Sequence, residues 1–228
     1  MVNEMMNRPI ISDQVLSYLR TNLIETDNQK LIDLRKEAQM KGIPIIPLET
    51  ASFLRFLIVI KRPKKILEVG TAIGYSSLLM EIENPEDSEI ITFERNPVMY
   101  EKAVENIKNF NLSNKISIEF GDVAKQYDSF KENEFDLIFL DGAKAKYLEQ
   151  FVHLIKNLKN DGIILIDDIF QGGDILKSID EIKHRNKGIH RHINQLLSEI
   201  LEQKKYISSI VPLGDGLLMV QKNKKFNK

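Results

Sequence analysis

Asp141 and the adjacent pair Asp167 and Asp168 are carboxylates placed where two apolar segments end. Three carboxylates brought together repel one another and resist ionisation unless a cation joins them. Ligation by oxygen alone selects Mg²⁺, Mn²⁺ or Ca²⁺ over zinc. Lys144 stands three residues beyond Asp141. A metal-bound hydroxyl loses its proton more readily. A lysine beside it, with its own pKa lowered by the metal charge, can take that proton. The expected metal ligands are therefore Asp141, Asp167 and Asp168, and the expected catalytic pair is Lys144 with Asp141. The plainer reading of the same residues is that Asp141 caps a helix and Asp167 is solvated.

A second group precedes these acids. Gly70 and Gly74 enclose Thr71-Ala72-Ile73 directly after a short apolar run. Glycine allows close backbone approach and positive φ. The dinucleotide pattern G-x-G-x-x-G is absent, because Ala72 holds its middle place. A nucleoside with an uncharged linker therefore suits the loop better than a pyrophosphate. Glu94 follows Gly70 by 24 residues, the position from which a carboxylate accepts ribose hydroxyls. Asp122, after Gly121, can accept a hydrogen bond from an adenine amine.

These groups need a scaffold that gathers strand ends. Ile11, Val15, Leu16, Leu19 and Leu23 recur at helical spacing, as do Leu31, Leu34 and Ala38. Two N-terminal helices should end before Gly42, and the prolines of Ile43-Pro44-Ile45-Ile46-Pro47 interrupt helix there. A third helix should run from about Leu48 to Ile60, stopped by Pro63. Strands and helices then alternate. Strands are expected at Lys65–Val69, Glu89–Phe93, Lys115–Phe120, Phe135–Leu140 and Gly162–Ile166. Helices are expected from Tyr75, at Pro97–Asn109 and at Lys146–Leu158. Such alternation builds a parallel sheet covered on both faces, with ligands beyond the C-terminal strand ends. Tyr206–Pro212 and Leu217–Gln221 flank Leu213-Gly214-Asp215-Gly216, a hairpin signal that puts the last strand antiparallel at or near the sheet edge.

A chain of 228 residues, 43% hydrophobic and 29% charged, suffices for one large domain with a full core. It has no cysteine, which excludes disulfides and thiolate metal sites. Met1–Arg20 has no continuous apolar stretch and carries Glu4 and Asp13, so it does not read as a secretory signal. The apolar run near Phe53–Ile60 is broken by Arg55 and is too short to span a bilayer. A cytoplasmic enzyme without a membrane partner is the expectation. Net charge is −1, yet Ile182–Lys228 holds ten Lys/Arg against three Asp/Glu. Lys183–His192 has four Lys/Arg, three His and no acid. Arg185, Lys187 and Arg191 are candidate phosphate contacts to RNA, with Lys222, Lys224, Lys225 and Lys228 adding to the charge. A solvated basic face is the plainer reading. His190 and His192, two apart, suit no helical metal pair.

Glu68–Ser76, Phe93-Glu94-Arg95-Asn96, Gly121-Asp122, Leu140–Lys144, Asp167-Asp168 and Pro212–Gly216 together resemble the metal-dependent O-methyltransferases, the family of the catechol and caffeoyl-CoA enzymes. The resemblance runs from about Ile43 to Lys222. Within the family it is greatest to the bacterial enzymes that methylate 5-hydroxyuridine in tRNA. These share the Gly-Thr-Ala-Ile-Gly-Tyr-Ser loop, the Glu-Arg-Asn segment, the Gly-Asp-Gly hairpin and a basic helix near His184–His192. The resemblance implies a Rossmann-like class I methyltransferase, α/β, with a mostly parallel seven-stranded sheet, a C-terminal antiparallel hairpin and N-terminal helices. One domain would span 1–228, with 1–62 helical and 63–228 the core.

The resemblance also implies roles. Ile46, Gly70, Ser76, Glu94, Asp122, Val123 and Asp141 would contact S-adenosylmethionine. Asp141, Asp167 and Asp168 would hold Mg²⁺ or Mn²⁺. The implied reaction converts 5-hydroxyuridine at the tRNA wobble position to 5-methoxyuridine, in a homodimer. A catechol or acyl-CoA acceptor is the alternative, since the same basic residues suit the phosphates of a CoA ester. A non-catalytic nucleoside-binding protein is a third reading, against which the acids and Lys144 argue. Two departures stand out. Relatives commonly have Asp-Asn where this chain has Asp167-Asp168, which adds a charge. They often have alanine where it has Gly142.

Overall fold

The computed structural model describes residues 11–226. Met1–Ile10 of the segment weighed as a secretory signal, and Lys228 of the basic tail, lie outside the described residues. Cα proximity divides the described chain into two compact units, 13–125 and 126–226.

The first unit holds α1 (Asp13–Asn22), α2 (Gln29–Met40), α3 (Leu48–Lys61), β1 (Lys65–Val69), α4 (Tyr75–Glu83), β2 (Glu89–Glu94), α5 (Pro97–Asn109) and β3 (Ile116–Phe120). Helix α2 ends as its sequence dictates. Gly42 takes φ +63, its N–H bonds Gln39 O, and the N–H of Ile43 bonds Ala38 O, which satisfies carbonyls the helix leaves open. Helix α5 starts with Pro97 in its first turn and Asn96 as cap, whose side chain accepts from Val98 N and Met99 N. Strands β1, β2 and β3 are parallel, with Ile66 opposite Ile90 and Ile90 opposite Ile116. Their buried apolar side chains pack with Leu78, Leu79 and Met80 of α4 into the core. Helix α1 buries none of its side chains. Its Arg20 reaches Glu49 of α3 through two hydrogen bonds of 3.0 Å.

The second unit holds β4 (Phe135–Leu140), α6 (Tyr147–Leu154), β5 (Leu158–Ile166), α7 (Lys187–Leu201), β6 (Tyr206–Val211) and β7 (Leu217–Lys222). Strands β4 and β5 are parallel neighbours. Strand β7 runs antiparallel to both β5 and β6. The whole sheet has seven strands in the order β3-β2-β1-β4-β5-β7-β6. The last strand is thus one in from the edge, and β6 is the edge strand. The buried run Leu217-Leu218 and Val220 of β7 fits that interior place.

Two boundaries differ from the sequence reading by several residues, the others by about one. Helix α6 stops at Leu154, and β5 begins at Leu158 rather than Gly162. Lys159-Asn160-Asp161-Gly162 looks like a turn, but Lys159 Nζ bonds Asp136 Oδ1 of β4 at 2.8 Å. The ladder shifts register between Phe135 and Leu137 to take in the extra length. A Cβ at Gly162 would lie 2.7 Å from Leu158 Cδ1, so glycine there makes room for a core leucine. Among the described residues, no helix is long and apolar enough to cross a membrane.

Candidate active site

In the first unit, the C-terminal strand ends carry the nucleoside candidates. Gly70 (φ +101) and Gly74 (φ +84) turn the chain from β1 into α4. Ala72 takes φ +47, a left-handed conformation in the middle place that glycine fills in dinucleotide loops. Glu94 holds this loop in place. Its Oε2 accepts from Ala72 N at 2.8 Å, and its Oε1 from Arg95 N and Asn96 N at 2.8 and 2.7 Å. The strand ends are stitched further by Gly70 N to Phe93 O and Gly121 N to Glu94 O. Gly121 has φ +135 and open space where a Cβ would stand, so a ligand can approach the backbone there. Asp122 accepts from Ala124 N and faces Arg95 at 3.8 Å. Val123 and Ile46 are buried. The structure therefore brings Gly70, Glu94 and Asp122 together along one set of strand ends.

Ser76 sits differently. Its hydroxyl donates to Glu68, a β1 carboxylate with no exposure to solvent. Ser77 and Thr92 also donate to Glu68, and Thr71 bonds Thr92 at 2.6 Å. Burial raises the Glu68 pKa, and the three hydroxyls oppose that shift. Sequence reasoning took Glu68 as part of the loop motif only. The clue was a charged residue inside an otherwise apolar strand.

In the second unit, β4 and β5 end side by side. Leu140 pairs with Ile166, and Asp167 N bonds Leu140 O at 3.0 Å. Asp141 and Asp167–Asp168 are therefore gathered by adjacent strands. Asp168 takes φ +61, a conformation that Asp and Asn tolerate better than most residues. Its N–H donates to Asp167 Oδ1 at 2.7 Å. Asp167 is buried. Burial first, and the neighbouring Asp168 second, push its pKa well above the usual carboxylate range. Lys144 opens a 3₁₀ turn, Lys144–Lys146, and its Nζ lies 2.6 Å from Asp168 Oδ2. The expected base is thus held against one of the expected ligands, Asp168. Among the described residues, no three His, Cys, Asp or Glu side chains form a preformed metal-holding group. The donor set nonetheless suits a hard cation. The carboxylates offer oxygen alone, and burial and mutual repulsion hold Asp167 back from ionising.

Two further residues belong to this cluster. Tyr147 is fully buried, and its pKa is pushed well up by burial and then by Asp141, Asp168, Asp167 and Asp215. Asp215, in the turn between β6 and β7, lies 3.5 Å from Lys144 Nζ through its Oδ2. Its pKa is pushed up to about 6, chiefly by burial. The Gly-Asp-Gly turn signal marked a hairpin and gave no hint that its acid points inward.

Helix α7 and the 3₁₀ turn His184–Asn186 before it carry the basic segment. His190, Ile193, Leu196 and Ile200 are buried, while Arg185 and Arg191 are exposed and Lys187 is partly so. The helix packs against α6, the Lys144–Lys146 turn and the Gln171–Leu176 turn, the latter two flanking the acids. His190 leaves the basic face. Its Nε2 lies 3.1 Å from Lys177 O.

Comparison with known proteins shows the family to which the chain belongs. A family model described as O-methyltransferase matches residues 22–223. A caffeoyl-CoA O-methyltransferase of Stellaria longipes is 28% identical, covering 90% of this chain and 89% of its own. A catechol O-methyltransferase of Niastella koreensis is 31% identical over 61% of this chain and 64% of its own. The SAH-bound crystal structure of a Podospora anserina methyltransferase superposes with a TM-score of 0.82 at 22% identity, covering 93% of this chain and 95% of that one. That last likeness carries the fold alone.

Proposed function

We propose that this chain, which belongs to the O-methyltransferase family, transfers a methyl group from S-adenosylmethionine to an acceptor hydroxyl with the help of a divalent cation. The observation that carries the cofactor reading is the Glu94 carboxylate, fixed by Ala72, Arg95 and Asn96 N–H groups beside an open Gly121. Glu94 would hold the ribose and Asp122 the adenine amine. A neighbour of the same fold was crystallised with SAH, in keeping with this cofactor.

Asp141, Asp167 and Asp168 are the residues that would hold Mg²⁺ or Mn²⁺. The cation, when bound, lowers the pKa of an acceptor hydroxyl that it touches. Lys144 Nζ is the group in this cluster placed to receive the acceptor's proton. The acceptor oxygen then forms a bond to the methyl carbon while the sulfur–carbon bond breaks. Tyr147 and Asp215 wall the cluster and keep water from its floor.

The acceptor in this reading is 5-hydroxyuridine at the wobble position of tRNA. Its support is the exposed Arg191, with Lys187, on a helix packed against the turns that flank the acids, and the exposed Arg185 in the 3₁₀ turn His184–Asn186 that leads into it. A second reading, a catechol or acyl-CoA acceptor, is favoured by relatives named for those substrates. The protein would act as a homodimer. The exposed Val15 and Tyr18 of α1 and Phe56, Val59 and Ile60 of α3 are apolar surface that a second copy would cover. The test is purified protein with S-adenosylmethionine, given hydroxyuridine tRNA, a catechol or caffeoyl-CoA, with Mg²⁺ or with excess chelator. Methylation of tRNA only with Mg²⁺ is expected. Full turnover in excess chelator would remove the metal from the reading. Methylation of the small acceptors alone would select the second one.

A further inference from the structure

We infer that Asp215 is a positioning residue for the reaction: its inward oxygen, together with Asp168, holds Lys144 Nζ, so that the β6–β7 turn aims the base. This rests on the reading of Lys144 as the proton acceptor.

The turn Leu213–Gly216 does more than connect β6 to β7. It is locked to the segment that follows the metal-ligand candidates. Phe170 N bonds Asp215 O at 2.9 Å, and Ile169 N bonds Gly216 O at 3.1 Å. Gly216 takes φ +87, and a Cβ there would lie 2.2 Å from the Phe170 ring. Glycine is therefore required for Phe170 to close over the turn. This contact sets Asp215 at 8% exposure.

The two carboxylate oxygens of Asp215 face different partners. Oδ1 accepts from Gly172 N at 2.6 Å, which ties down the glycine pair Gly172-Gly173. Oδ2 is buried without a hydrogen-bond partner, and its nearest charge is Lys144 Nζ at 3.5 Å. Holding the loop needs Oδ1 alone, and an asparagine would serve that purpose equally well. A buried carboxylate is costly unless its charge is used. The charge is explained by the lysine. Lys144, at 14% exposure, has Asp168 at 2.6 Å and Asp215 at 3.5 Å. Two carboxylates from different elements restrict a flexible four-carbon stem to one direction, which is what a base must have.

The experiment is a double-mutant cycle of Asp215→Asn and Lys144→Ala, with acceptor kinetics, S-adenosylmethionine affinity and amide exchange over Ile169–Gly173. Asparagine keeps the Gly172 bond and removes the charge. Asp215→Asn alone should lower kcat by about 10- to 100-fold, with KM, cofactor affinity and amide exchange unchanged. In the Lys144→Ala background it should change kcat by less than about twofold, because the residue through which it acts is gone. Equal losses in both backgrounds, an unchanged kcat, or a kcat loss accompanied by faster exchange would overturn the inference. The exchange result decides the matter even if Lys144→Ala turns over too slowly to measure. Wild-type kcat in Lys144→Ala itself would instead remove the reading of Lys144 on which the inference rests.

Discussion

Glu94→Ala is the substitution that tests the cofactor half of the site most sharply. The side chain accepts three backbone N–H bonds, from Ala72, Arg95 and Asn96, at 2.7–2.8 Å. Hydrogen bonds to a charged group contribute about 1.5–3 kcal/mol each when water cannot replace them. Glu94 is half-buried, so water can take over part of that work. The net loss of stability should be about 1–2 kcal/mol, or a fall in Tm of roughly 2–8 °C for a chain of this size. Cofactor binding should suffer more. On the proposed reading the variant would lose the ribose contacts, and it releases Ala72, whose left-handed backbone is held by Oε2. A loss of about 1.5–3 kcal/mol weakens affinity roughly 10- to 150-fold. Calorimetry with S-adenosylmethionine and a 2′-deoxyribose analogue separates the two causes. Wild type should prefer the natural ribose, and Glu94→Ala should bind both alike. Unchanged affinity, or an undiminished preference for the 2′-hydroxyl in the variant, would refute the assignment of the ribose to Glu94.

Glu68 and the basic helix give two further predictions. The folded-state pKa of Glu68 is raised, chiefly by burial, so the folded protein binds this proton more tightly than the unfolded chain does. Its contribution to stability is full below the ordinary value of 4.5 and is lost as pH rises through the folded pKa. Glu68→Gln should therefore gain stability relative to wild type as pH is raised from 4.5 to 8 in urea melts. A constant difference across that range would show that burial does not hold the proton there. Replacing Arg185, Lys187 and Arg191 together with Ala should raise the KM for tRNA and lessen the slope of log affinity against log salt by about 2, at roughly 0.7 per phosphate contact. Cofactor affinity should stay the same, and normal tRNA kinetics across a salt series would make these residues an ordinary solvated face.

The fold was legible where periodicity and glycine placement decide structure. The strands at Lys65–Val69 and Phe135–Leu140 have the bounds their apolar runs suggest. The order of Gly70, Glu94 and Asp122 along successive strand ends followed from parallel topology. What the sequence hid lies in long-range pairing. The polar start of β5 is stabilised by Lys159 reaching Asp136, which no local pattern shows. His190 lies within a basic run yet turns inward, because α7 needs an apolar face at helical spacing and the ring falls on it. Asp215 occupies a turn where aspartate is ordinary, and only the packing of Phe170 on Gly216 gives it an interior neighbour.

The two sets of carboxylates follow opposite strategies, and this difference argues for their separate roles. Glu94 is met by three backbone N–H donors, so it asks for no cation and can offer its remaining lone pairs to neutral hydroxyls. Asp167, Asp168 and Asp215 have far less. Asp167 has one backbone donor from Asp168, Asp215 has one from Gly172, and the positive charge nearest to all three is the Lys144 ammonium. One ammonium leaves such a group of acids short of positive charge, and the price is visible in Asp167 and Asp215, both pushed above the usual carboxylate range with burial as the main cause. Proteins that bury carboxylates in this way either leave them protonated or supply a cation. A protonated cluster would make Lys144 a lysine without a purpose. On the proposed reading, a divalent cation on Asp141, Asp167 and Asp168 would relieve the repulsion, leave Asp215 to steady the lysine, and turn a collection of costly charges into a site that can take a proton from an acceptor hydroxyl.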